Sequence, residues 1–403
     1  MHSLYNISIF FFGLGIRIAS LFNPKAKDWI VGRRNLLEQL PSTEHKEVIW
    51  FHCASLGEFD QGLPLMAKIK EASPSSFLLV TFFSPSGMKF QHKRKHQADH
   101  VMYLPLDTPN RAKRFINHFA PSKVFFVKYE FWSNHIFAAK NQGAKLYNIS
   151  GLFRDDHRFF KWYGRFFRKT LNQFDWFFVQ NSRSKSLLES IGIKTVSVSG
   201  DSRFDRVLEN KKQVQENAII AEFKGESTLF IIGSSWPEDE KMLYPWINNQ
   251  PGKVLIAPHN VDETSIQSIL TGIPNSIRYT KVGDKNLTNY NVLILDTIGQ
   301  LSNAYSYGTI AYIGGGFSGS LHNILEPAVF GLPVIFGPKH NRFPEGQQFI
   351  ELGIGFSVST TVEFSQVYER IQESIKNISA KTSDFVEQNK GAAEKIWRHI
   401  TAN

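Results

Sequence analysis

The chain has 403 residues, 42% of them hydrophobic and 20% charged, with a formal net charge of +10. That is more than one hydrophobic core usually fills, so two domains are expected, and the composition excludes a disordered chain. The charge favours anionic partners (nucleic acid, acidic headgroups, phosphorylated substrates) without choosing among them, and a lone cysteine, Cys53, excludes an intrachain disulfide and a CxxC-type zinc site.

Residues 4–22, LYNISIFFFGLGIRIASLF, are nearly all apolar. The run is just long enough for the ~20 residues that a membrane span needs. Arg17 lies inside it, which is tolerable near an end. Lys25, Lys27, Arg33 and Arg34 follow, and the positive-inside rule would keep them cytoplasmic. A secretory signal carries its charges before the apolar run and not after it. Residues 1–34 therefore read as a cytoplasm-facing anchor or an in-plane amphipathic helix, with a buried first helix as the structural alternative.

Short apolar runs rich in β-branched and aromatic residues follow at 48–53, 77–83, 100–106, 123–129, 145–150, 175–180 and 195–200. They do not alternate strictly, as suits strands buried on both faces of a parallel sheet. The segments between them are long enough for crossover helices. A second series runs through 228–234, 253–259, 291–296, 309–316 and 333–338, after a polar stretch at 208–226 that reads as linker plus helix. The expected fold is α/β, with two Rossmann-like doubly wound domains facing a cleft. Ligands in such folds sit beyond the carboxyl ends of strands.

Three strand-end motifs stand out. In HCASLGEFDQG (52–62), Glu58 falls where a buried strand turns into a helix. The helix N-terminus favours its ionised form while burial raises its pKa, so it can take a proton from a substrate hydroxyl; a plain helix cap is the alternative. In VKYEFWSNHI (127–136), Glu130, Trp132 and Asn134 suit a sugar or nucleotide site, or equally a helix start with a half-buried Trp. In YIGGGFSGSLHNILEPAVFGLPVIFGP (312–338), Gly314, Gly315, Gly316 and Gly319 would let a ligand approach the backbone. A helix starting near Asn323 would aim N–H groups at a phosphate, with Glu326 placed for ribose hydroxyls. This is not a Walker-type ATP loop. GSSWPEDE (233–240), APHN (257–260) and DTIGQLSNAYSYG (296–308) also follow strands. HRFFKWYGRFFRK (157–169) would form a basic stripe of Arg158, Lys161, Arg165 and Arg168 on a helix, suited to anionic lipid or nucleic acid, or else an amphipathic helix with its aromatics in the core. QHKRKHQ (91–97) reads as a solvated loop or helix end.

HCASLGE, YEFWSN, NISGLFRDD, GDSRFD, GSSWPEDE, IAPH, DTIGQL and HNILEPAVFGLPVIFGP occur in the order found in the 3-deoxy-D-manno-octulosonic acid (Kdo) transferases of lipid A assembly. The sequence resembles that family from the apolar N-terminus to about residue 355. The resemblance implies a GT-B fold. Its parts would be a membrane anchor (1–34), an acceptor domain (35–210), a nucleotide-sugar domain (211–385) and a helix crossing back to the first domain (386–403). It implies inverting transfer of Kdo from CMP-Kdo to a phosphorylated lipid A precursor in lipopolysaccharide synthesis, with no metal and no cofactor. The enzyme would act at the cytoplasmic face of the inner membrane, on an anionic surface, without nucleic acid.

By the same resemblance Glu58 matches the general base, while Glu130 and Arg203 match positions that support the transition state. Pro258, His259, Ile298, Gly299, Gln300, Asn323, Ile324, Leu325 and Glu326 match nucleotide-sugar contacts. The sequence departs from the family pattern at Arg203 (Lys is usual), His259 (Arg), Ser133 (Pro) and in HNILEP for HNPLEP. The alternatives are a GT-B transferase or epimerase using a UDP-sugar, and a non-catalytic basic protein that binds membrane or nucleic acid.

Overall fold

A computed structural model describes residues 2–43, 46–93, 96–249 and 252–402. Part of the 91–97 run lies outside them.

The chain forms two compact units, Met1–Arg206 with Lys390–Asn403, and Val207–Asn389. Each is built on a seven-stranded sheet in which every strand pair is parallel. The first holds β1 (Val48–Cys53), β2 (Phe77–Phe82), β3 (His100–Tyr103), β4 (Lys123–Val127), β5 (Lys145–Gly151), β6 (Trp176–Val179) and β7 (Val196–Val198), in the order 3-2-1-4-5-6-7. The second holds β8 (Leu229–Ser235), β9 (Lys253–Pro258), β10 (Ser276–Arg278), β11 (Val292–Ile294), β12 (Ile310–Ile313), β13 (Val334–Phe336) and β14 (Gly355–Ser357), in the order 10-11-9-8-12-13-14. All twelve expected runs contain strands; β10 and β14 are additional.

β1 shows why its pattern is continuous and not alternating. Val48 and Trp50 enter one core with Phe115, Phe126 and Phe177. Ile49, Phe51 and Cys53 enter the other with Phe59, Met66 and Phe125. A strand covered on both faces has no polar side to mark it. The chain order reverses direction at β1/β4 and at β8/β12, and there the carboxyl ends of neighbouring strands open a place for ligands.

The N-terminal helix spans His2–Ala19. No helix among the described residues is long and apolar enough to cross a membrane, and a spanning anchor is not shown. The helix is still anything but a buried one. Leu4, Phe10, Phe11 and Ile18 are exposed, as are Leu21 and Phe22 beyond it. Asn23 then caps the helix Pro24–Val31, accepting from the Lys25 and Ala26 N–H groups, with Pro24 fixing its first position. Arg33 is not a free flanking charge, because it donates to the carbonyls of Leu104 at 2.9 Å and Phe83 at 2.7 Å and lies over the Trp29 ring.

The 208–226 stretch holds a helix end, a short link at 213–217 and the helix Ala218–Lys224, in keeping with linker plus helix. One further expectation changes. The basic stripe at 157–169 does not form, because the segment is two short 3-10 turns, Arg158–Phe160 and Trp162–Gly164, before the helix Arg165–Leu171. Arg168 folds back to donate to the Phe159 and Lys161 carbonyls, and Phe159 and Phe166 are buried. Local aromatic packing overrides the helical period.

Candidate active site

β1 ends at Cys53, and the helix Leu56–Ala72 starts three residues later with Glu58 in its first turn. The carboxylate turns back and accepts the Ala54 N–H at 2.5 Å. Glu58 is 7% exposed. Burial raises its pKa to about 7 against the pull of that N–H; Glu130 pushes the same way and Lys128 opposes. The buried Cys53 thiol is pushed well above its ordinary range, by burial first and then by Glu58 and Asp60.

Glu130 sits beyond the neighbouring strand β4. Lys128 turns the chain there with a φ of 63°, in the left-handed region that side chains seldom adopt. Asn148 on β5 secures that turn, its Nδ2 donating to the carbonyls of Phe126 at 3.0 Å and Lys128 at 2.5 Å. Burial raises Glu130 to about 7, and its Oε2 has no hydrogen-bond partner among the described residues. The structure thus brings Glu58 and Glu130 to adjacent strand ends, where the Glu130 charge adds to the rise at Glu58.

The helix that carries Arg203 starts beside the helix that carries Glu58. Gln61, one turn beyond Glu58, accepts Ser202 Oγ at its carbonyl at 2.7 Å, and Ser202 also bonds Ser150 at 2.7 Å. Arg203 thereby opens the helix Ser202–Lys212 beside the Glu58 helix. Its guanidinium pairs with Asp201 at 2.7 Å, so part of its charge is already committed.

In the second unit, Pro258 closes β9 and the His259 N–H donates to the Ser235 carbonyl at 2.8 Å. The His259 ring stacks on Trp236 with centroids 4.2 Å apart, and the Trp236 indole donates to His322 Nε2 at 3.2 Å. Burial lowers the pKa of His259, and it lowers that of His322 to about 4 with His259 adding to the effect. These rings therefore offer neutral hydrogen-bonding groups at neutral pH. Ile298 is 68% exposed, Gly299 has a φ of 96°, and Gln300 Oε1 accepts from Asn217 at 2.8 Å.

The glycine loop is shaped by the protein's own backbone. A Cβ on Gly314 would lie 2.2 Å from the Ser234 carbonyl, and one on Gly316 2.4 Å from Gly337 N. These glycines answer strand-to-loop packing, a need the sequence does not distinguish from room for a ligand. The helix expected from Asn323 is a single turn, Leu325–Ala328. Asn323 Oδ1 accepts the Leu325 N–H at 3.2 Å, and Asn323 Nδ2 faces Glu326 Oε1 at 3.3 Å. Ile324 and Leu325 are fully buried, so only their main chain can meet a ligand. Among the described residues no cluster of three His, Cys, Asp or Glu is placed as metal ligands would be.

Sequence reasoning had flagged the segment around Trp236 but not its ring, and it missed Asp239. Asp239 accepts from Tyr312 at 2.7 Å and from the N–H groups of Gly315 and Trp236 at 2.9 Å each, tying the glycine loop to the start of the next helix. The only local signal is a carboxylate three residues after a helix cap.

Solved structures share this architecture. The UDP-GlcNAc 2-epimerase of Neisseria meningitidis aligns with a TM-score of 0.64 and 14% identity, over 89% of this chain and all of that one. MurG of Acinetobacter baumannii aligns at 0.55 and 10%, over 89% of this chain and all of that one. The fold is GT-B. Residues 31–206 match the family described as 3-Deoxy-D-manno-octulosonic-acid transferase (kdotransferase). A 3-deoxy-D-manno-octulosonic acid transferase of Rickettsia bellii is 26% identical over 91% of this chain and 92% of its own length. Its counterpart in Chlamydia trachomatis is 25% identical over 87% and 84%. A bifunctional glycosyltransferase/methyltransferase of Fusobacterium nucleatum is 25% identical over 90% of this chain, which spans 58% of that relative's length. The first unit is thus similar to the Kdo transferase family model, and most of the chain is similar to the Kdo transferases of these organisms.

Proposed function

We propose that this protein transfers Kdo, with inversion and without a metal or other cofactor, from CMP-Kdo onto a phosphorylated lipid A precursor in lipopolysaccharide synthesis. The observation that carries the reading is Glu58: a nearly buried carboxyl at a strand end, with a pKa of about 7, beside a second raised carboxyl, Glu130. A base with that pKa exists in both protonation states at neutral pH, as general-base catalysis requires. The acceptor hydroxyl gives its proton to Glu58, its oxygen bonds to the anomeric carbon, and the bond from that carbon to the CMP phosphate oxygen breaks. Glu130 and Arg203 would support the charge that develops at the sugar.

The second unit would hold the donor. His259 beside Pro258, the main chain at 298–300, and Asn323 to Glu326 would meet the nucleotide, with hydrogen bonds to the departing phosphate. The exposed apolar flank of the first helix and the +10 charge suit the cytoplasmic face of an anionic inner membrane.

The test is to incubate the full-length protein with CMP-Kdo and a tetra-acylated lipid A precursor and weigh the lipid. A gain of one or more Kdo masses is expected, with Glu58→Gln losing at least ~10²-fold in turnover. No gain in mass, with calorimetric binding of UDP in place of CMP, would transfer the protein to a UDP-sugar enzyme.

A further inference from the structure

The N-terminal helix His2–Ala19 has an inner side as well as an apolar flank, and His2, Tyr5 and Asn6 near its start reach polar groups of the first unit. Tyr5 Oη donates to Asp107 Oδ2 at 2.5 Å and accepts the Ser133 N–H at 3.3 Å. Asn6 Oδ1 accepts from Asn134 Nδ2 at 2.9 Å, and His2 Nε2 lies 3.0 Å from Asn134 Oδ1. Asp107 is 1% exposed. Its carboxylate also takes the N–H groups of Asn134 at 3.1 Å and His135 at 2.9 Å and the His135 ring at 2.6 Å. Those backbone donors belong to the first turn of the helix Ser133–Asn141, which no cap side chain of its own satisfies.

A second string between the same two places is aromatic. Phe12 stacks on Phe83 with centroids 6.0 Å apart, and Phe83 stacks on Trp132 at 4.6 Å. The Trp132 indole donates to His52 Nε2 at 3.1 Å. Trp132 and Ser133 are the second and third residues after Glu130. The loop carrying Glu130 is thus held at its near end by Asn148 and at its far end by the N-terminal helix. The Glu130 Oε2 has no partner of its own among the described residues, so the loop's placement largely sets where this carboxyl lies.

We propose that the N-terminal helix is a brace for the Glu130 loop, with Tyr5 and Asp107 as positioning residues, so that the helix is needed for turnover as well as for attachment. The proposal rests on the reading of Glu130 as part of the active site. A misplacement of about 1 Å at such a group costs up to ~10²-fold in rate, so a modest loosening is measurable. Glu58, Glu130, Lys128, Cys53 and Asp60 are the titratable groups of this corner, with Arg203 on the adjoining helix. Letting water reach Glu130, or moving it from Glu58, lowers the pH at which the pair ionises.

The test uses the full-length protein with CMP-Kdo and a lipid acceptor dispersed in detergent, so that no bilayer is needed. Tyr5→Phe removes one hydroxyl and Phe12→Ala trims a ring that is 40% exposed. Each is expected to lower kcat about 10-fold with the donor KM unchanged, and to move the acidic limb of the kcat–pH curve down by about half a unit or more. Phe11→Ala, on the exposed flank, is expected to weaken binding to anionic vesicles while its acidic limb stays in place. Wild-type kcat and an unmoved limb in both Tyr5→Phe and Phe12→Ala would overturn the brace while leaving the active site standing. Wild-type turnover in Glu130→Gln would overturn the brace together with the reading beneath it.

Discussion

At Glu58 the requirements of catalysis and of stability pull in opposite directions. Its folded carboxyl titrates at about 7 against an ordinary 4.5, as does Glu130. The folded state therefore holds protons that the unfolded chain gives up, and the pair's contribution to stability is full below about pH 4.5 and is lost as pH rises to about 7. Turnover by the proposed base, which needs the ionised carboxylate, is expected to rise through the same window. Glu58→Gln keeps an acceptor for the Ala54 N–H and removes the buried charge. It is expected to be more stable than wild type at pH 8 by about 1–3 kcal/mol, equal to it near pH 4, and inactive. Chemical denaturation at the two pH values, alongside the transfer assay, checks this. His259 offers a converse case, a neutral ring where the family pattern places a cation. His259→Arg is expected to tighten donor binding roughly 3–10-fold in calorimetry at pH 7.5, and no gain would mean that the donor phosphate does not face this position. Glu58 was legible in the sequence because its placement is local, a strand running straight into a helix. Asp107 and Trp236 were not, because their partners lie far off in the chain: Tyr5 is 102 residues from Asp107 and His322 is 86 from Trp236.

Among the elements, twelve of the fourteen strands were legible, and the two edges of the second sheet were not. β10 and β14 have three residues each and follow their helices too closely to show a period. The 157–169 segment failed for the opposite reason: its helical period is plain, but Phe159, Phe160 and Phe167 pack on one another and on Phe131 and Phe153. Element ends depend on single polar groups, and Asp205 is the clearest case. From the helix Ser202–Lys212 it accepts the N–H of Gly391 at 2.6 Å and of Ala393 at 2.8 Å, and so caps the final helix Ala392–Ala402 from another element. Gly391 just ahead has a φ of 91°, which suits the break after Ile375–Asn389. Asp205→Ala leaves the N–H groups of Gly391 and Ala393, at the start of that helix, without their acceptor and is expected to cost about 1–2 kcal/mol in a thermal melt. Asp205→Asn, which keeps an acceptor oxygen, is expected to cost less. Equal losses would mean that the contact, and not the cap, is what matters.

Over the whole molecule the chain crosses between its two units twice, once near residue 206 and again near 390, so the first unit is completed only by residues 390–403. The final helix places Ile396 and Ile400 in the core that holds Ile49, Phe59 and Met66, and Lys68 pairs with Glu394 at 2.6 Å. Burying the two isoleucines stabilises the first unit by about 1.5–3 kcal/mol each. The Asp205 cap adds about 1–2 kcal/mol, while the half-exposed ion pair adds little. A chain ending at residue 389 therefore loses about 4–8 kcal/mol from the first unit and almost nothing from the second, whose sheet and helices lie within 207–389. At about 2 cal/mol/K per residue, a unit of this size should melt about 10–20 °C lower. Calorimetry of the shortened chain is expected to show one transition moved down by that amount and a second near its original temperature. The second unit should still bind CMP, while transfer should fall, since the helix that carries Glu58 is the one the final helix packs against. Two transitions displaced together would show that the units melt as one body, and the C-terminal helix would then be a contribution to the whole fold.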